Sequence, residues 1–100
     1  MPGFNVTVKH KLPQGEACIR MKQLLQQMKI EYAENISDLS ESWNGGICRF
    51  HLKMMGISIP GEIDIESGDV KISGDLPFTA MLFKGQIEST ICQRAAHLLA

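Results

Sequence analysis

The chain has no Cys-x-x-Cys pair, no Gly-x-Gly-x-x-Gly loop, no block of like charge and no long apolar run. Its three cysteines, Cys18, Cys48 and Cys92, are odd in number and far apart, which suits reduced thiols better than a disulfide framework. None of His10, His51 and His97 stands at the close spacing of familiar zinc motifs, so core thiols, surface imidazoles and no metal are expected. Ten Lys plus Arg against eleven Asp plus Glu leave a net charge of −1, and aromatics make up only 6% of residues. A basic stripe with interleaved aromatics is therefore missing, and no nucleic-acid role is expected. The start, MPGFNVTVKHK, alternates apolar and polar residues where a secretory signal needs a continuous apolar block. No later run approaches the ~18 apolar residues of a membrane span, so a soluble cytoplasmic protein is expected. Asp38, Glu41, Glu62, Asp64 and Glu66 offer no convincing acid and base pair, because the last three form the outward face of an alternating segment. The expectation is a protein without cofactor or catalytic residues.

What is present is apolar patterning. With 44% hydrophobic residues in 100, one domain spanning residues 1–100 can bury roughly 60–65% of the unfolded surface without metals or disulfides. Phe4, Val6 and Val8 alternate with Asn5, Thr7 and Lys9, which predicts a strand ending near His10. From Gln14 to Ile30 the period changes: Ala17, Met21, Leu24, Leu25, Met28 and Tyr32 trace the apolar stripe of a helix. A short strand is expected around Ile36 to Trp43, then a turn at Asn44-Gly45-Gly46 and a strand from Ile47 to Met54 with Cys48, Phe50, Leu52 and Met54 on one face. Ile57, Ile59, Ile63 and Ile65 alternate with Ser58, Glu62, Asp64 and Glu66. Gly61 falls on the isoleucine face, where it accepts a helix or marks a bulge, and Pro60 points to an edge or irregular position. Val70 and Ile72 supply a last strand.

The segment from Asp75 to Ala100 reads as one long helix, capped by Asp75, with Pro77 in its first turn. Leu76, Ala80, Phe83, Ile87, Ile91 and Leu98 form its stripe. Gly85 inside it costs roughly 1 kcal/mol relative to Ala. Either another backbone packs closely there, with Lys84 and Glu88 paired one turn apart, or the helix kinks. The fold class is α+β: an antiparallel sheet of four to five strands packed on one face by two helices, in the order β-α-β-β-β-β-α.

Several segments together resemble a known family. The strand ending in His10-Lys11-Leu12, the Trp43-x-Gly45 turn, the Phe50 to Gly56 strand, the Gly61-x-Ile63 strand and Leu76-Pro77 followed by Phe83-Lys84-Gly85-Gln86-Ile87-Glu88 are similar to the polyhydroxyalkanoic acid system proteins of bacteria. The resemblance implies an association with polyhydroxyalkanoate granules, a storage polyester, and assigns no catalytic residue. The order of elements also looks like a reduced helix-grip ligand-binding fold, an analogy of architecture alone.

Phe78, Met81 and Leu82 fall off the stripe of the closing helix, making its first half apolar nearly all round. Such a segment is buried on every side or meets a second apolar surface: another subunit in a homodimer, a lipid, or a granule or granule protein. The expected contact residues are Phe78, Met81, Leu82 and Phe83, with Lys84 at the polar rim. The alternative is a carrier holding a hydrophobic ligand between Ile59, Ile63, Ile65 and the helices.

Overall fold

A computed structural model describes residues 3–100. Strands β1 (Gly3–Lys9), β2 (Ile36–Asn44), β3 (Ile47–Met54), β4 (Ile57–Glu66) and β5 (Asp69–Asp75) form one antiparallel sheet, with helices α1 (Gln14–Glu31) and α2 (Lys84–Leu99) and a short 3-10 helix (Phe78–Phe83). The strand order is β1-β5-β4-β3-β2. The three turn-connected pairs from β2 to β5 and the β1–β5 pair are all antiparallel, so the expected α+β order stands.

One alternating set of side chains builds the core. Phe4, Val6, Val8, Cys48, Ile59, Ile63, Ile65, Val70 and Ile72 are buried on the sheet, and Ala17, Met21, Leu24 and Leu25 of α1 close over them together with Ala95 and Leu99 of α2. α2 packs on β1 and α1, and α1 packs on β4, so both helices share one side of the sheet. The helical and strand stripes were legible because burial on one side of a regular element imposes its own period.

Pro60 sits in β4, an internal strand, yet does not break it. β5 pairs with β4 only from Gly61 to Glu66, so the Ile57–Pro60 portion has β3 on one side alone. No ladder donor is missed there.

The closing segment differs from the expected single helix. Asp75 is the last residue of β5 and pairs with Gly3, so it caps nothing. Leu76 precedes Pro77, and the proline ring disfavours helical backbone in the residue before it. Pro77 itself is extended, with ψ 159°. The chain then winds as a 3-10 helix, with the Ala80 N–H donating to Pro77 O at 2.9 Å, and converts to α2 at Phe83, whose φ is −100° and ψ 5°. Leu76 and Ala80 of the expected stripe are buried, Ile87, Ile91 and Leu98 half-buried, and Phe83 is exposed.

His10 corrects the expectation of surface imidazoles, being only 8% exposed. Its Nδ1 accepts from the Leu12 N–H at 3.1 Å, which leaves the proton on Nε2 to donate to Glu66 O, also at 3.1 Å. The ring thereby ties the entry of α1 to the end of β4. The expectation for the cysteines holds at Cys48, which is buried, while Cys18 is half-buried and Cys92 exposed.

Candidate functional site: an exposed apolar segment ahead of the closing helix

Leu76 and Ala80, 3% and 7% exposed, anchor the 3-10 segment to the core. Between and after these anchors the chain turns its largest apolar groups outward: Phe78 is 83% exposed, Leu82 91% and Phe83 57%. Met81 is half-buried and packs against the core, and Lys84 is half-buried at the start of α2. A single exposed leucine is ordinary, but three large apolar side chains within six residues are a patch. Of the five residues singled out in the sequence, the structure therefore presents Phe78, Leu82 and Phe83 to solvent and leaves Met81 and Lys84 half-buried.

The neighbouring Lys84-Gly85-Gln86-Ile87-Glu88 segment is held differently from either sequence reading. No backbone approaches Gly85: a Cβ built there meets nothing within 4 Å. Close packing is thus corrected, and the change of helix type falls just before Gly85, at Phe83. Glu88 does not pair with Lys84; its Oε2 accepts from the backbone N–H of Asn5 at 2.9 Å. β1 is an edge strand, and the α2 carboxylate occupies an outward donor that would otherwise invite another strand. Nothing local in the sequence signals this role, because Lys84 stands at the helical spacing that suggests a simpler partner. Gly85→Ala is expected to stabilise the protein by about 0.5–1 kcal/mol, since the helical backbone accepts Ala and the space is open. Urea denaturation checks it; a loss of stability would show that Gly85 is needed for its shape.

Electrostatics near the segment are structural. On the far part of α2, Arg94 bonds Glu31 at the end of α1 and lies 5.9 Å from the Tyr32 ring centroid. The hydrogen bond from Arg94 holds the Glu31 carboxyl below its usual range, and the same bond raises Arg94. Burial, followed by the nearby Glu41 charge, pushes the Cys48 thiol up to about 11, so it stays protonated and unreactive near neutrality. Among the described residues no group of three His, Cys, Asp or Glu side chains could hold a metal ion. No described helix is long and apolar enough to cross a membrane.

Against known proteins, the family model described as "Putative polyhydroxyalkanoic acid system protein" matches residues 4–99. The chain belongs to that family. The resemblance seen in the sequence extends, on this match, from the first residues of β1 to the last of α2. Curated proteins give no match. Among solved structures, that titled "Crystal structure of Ara h 8.0201" is similar over 97% of this chain and 96% of that chain, at 10% identity and a TM-score of 0.41. A likeness of that degree says nothing of what this chain binds.

Proposed function

We propose that this protein is a non-enzymatic cytoplasmic binding protein of the polyhydroxyalkanoate system, docking on the granule surface through Phe78, Leu82 and Phe83. The observation that carries this reading is the outward display of those three side chains on a segment whose Leu76 and Ala80 are fixed in the core. Rigid anchoring matters because the apolar groups are held out without a further ordering cost on binding. A polyester surface offers ester and alkyl groups with little charge, and burial of Phe78 and Leu82 against it returns roughly 25 cal/mol for each Å2 of apolar surface removed from water. Met81, half-buried against the core, lies in the same segment, and Lys84 follows it as the polar border.

The carrier reading has less behind it. Met21, Ile63, Ile65 and Val70 are fully buried between the sheet and the helices, so side chains fill the volume that a ligand would need.

Co-sedimentation with purified granules tests the docking. Wild-type protein should pellet with granules, and the double variant Phe78→Ser with Leu82→Ser should lose at least ~10-fold in affinity, the equivalent of about 1.4 kcal/mol. Both residues are exposed, so the variant should keep its circular dichroism spectrum and melting temperature. Undiminished pelleting by that folded variant would remove the proposed surface.

A further inference from the structure

We infer that α1 pairs antiparallel with α1 of a second copy of this chain, through the face it turns away from the core. That face carries Ile19 and Ile30, 51% and 75% exposed, although the helix already buries Ala17, Met21, Leu24 and Leu25 on its other side. The two isoleucines stand eleven residues apart, about three turns at 3.6 residues each, so they lie on one line along the helix. Lys22, Gln23, Gln26 and Gln27 fill the interval, and the six side chains line a shallow open groove.

The arrangement reads the same from both ends. Measured from the midpoint between Leu24 and Leu25, Ile19 and Ile30 are equally distant, as are Lys22 and Gln27, and Gln23 and Gln26. A twofold axis through that midpoint sets Ile19 on Ile30 of the second copy, Gln23 on its Gln26 and Lys22 on its Gln27. An isologous interface needs a patch complementary to itself under such a rotation, and this one qualifies. Apolar groups meet apolar groups. The glutamine amides both donate and accept, and the single formal charge, on Lys22, is already engaged within its own chain, 5.2 Å from the Trp43 ring centroid. A parallel pairing would instead set Lys22 against its own copy, so the antiparallel register is the favoured one. A single helix face falls short of the ~1,200 Å2 that stable interfaces bury, and the dimer is accordingly weak and concentration-dependent. The pairing does not depend on the granule reading and uses none of its residues.

Sedimentation equilibrium on the full chain, up to about 1 mM, tests the pairing through a charge exchange whose expected changes span at least ~10-fold in the dimer constant. Ile19→Glu alone and Ile30→Lys alone should each weaken self-association by that factor. An equimolar mixture of the two should recover it, because antiparallel register sets the introduced glutamate on the introduced lysine and leaves Ile30 of one chain on Ile19 of the other. Both sites are exposed, so unchanged circular dichroism should accompany both variants. A wild-type chain that stays monomeric throughout, single variants that dimerise as well as wild type, or a mixture that remains monomeric would each overturn the inference.

Discussion

Gly61→Ala should lower the unfolding free energy by about 3 kcal/mol, a cost of the kind that overpacking a tight site brings. Gly61 lies in a row that crosses four strands: Phe50 on β3 faces Gly61 on β4, which faces Gly74 on β5, which faces Phe4 on β1. Each aromatic ring folds over the adjacent glycine. A Cβ at Gly61 would lie 2.2 Å from Phe50 Cζ and 2.6 Å from Ser73 O, and one at Gly74 would lie 2.5 Å from Phe4 Cε1. The ring can swing aside, but the backbone oxygen moves only if β4 and β5 part. Adding Phe50→Ala to Gly61→Ala should therefore cost less than the sum of the single changes, by about 0.5–3 kcal/mol of coupling, without restoring wild-type stability. Denaturant unfolding of the four proteins in the cycle measures it. Strict additivity would show that the ring does not cover Gly61 in solution.

Met21→Ala should be at least as damaging, at about 3–4 kcal/mol, the range in which a large side chain leaves a cavity that its neighbours cannot refill. Met21 is 0% exposed and among the largest fully buried side chains, with Ala17, Leu24 and Leu25 of its own helix and Ile63, Ile65 and Val70 in the same core cluster. For a domain of this length the melting temperature should fall by roughly 12–30 °C, at 4–8 °C per kcal/mol. Met21→Leu, which nearly conserves volume, should cost under about 1.5 kcal/mol. Thermal and urea unfolding of the pair provide the check. A loss below about 1 kcal/mol for Met21→Ala would mean that α1 settles onto the sheet and closes the space, contrary to a core already locked by both helices.

The two glycines at opposite ends of this scale, Gly61 and Gly85, look alike in the sequence. Each interrupts a regular apolar pattern, and each invites an explanation from close packing. For Gly61 the neighbour is a phenylalanine on the adjacent strand, and for Gly85 there is no neighbour at all. Local spacing cannot distinguish them, because the atom that does or does not touch belongs to a distant part of the chain. Glu88 is a similar case, passing over the lysine one turn away to reach the edge of β1. Phe78, Met81 and Leu82 were recognisable as surplus apolar groups, since they fall off the helical stripe, but Phe83 belongs to that stripe by spacing and is nonetheless exposed, because where Leu76 and Ala80 pin the segment decides which side chains face solvent.

The sequence by itself determined the order of strands and helices and the buried side of the most regular of them, because periods of two and 3.6 are imposed residue by residue wherever one face meets the core. Tertiary structure decided how the last quarter of the chain is divided. Asp75 has the chemistry of a helix cap, but pairing with Gly3 across the sheet keeps it in β5. Pro77 then holds Leu76 out of helical backbone, and Phe78, Leu82 and Phe83 turn toward solvent while α2 begins later and closes over β1. Long-range pairing outweighed local preference here because a strand residue joined to its neighbour is no longer free to cap a helix.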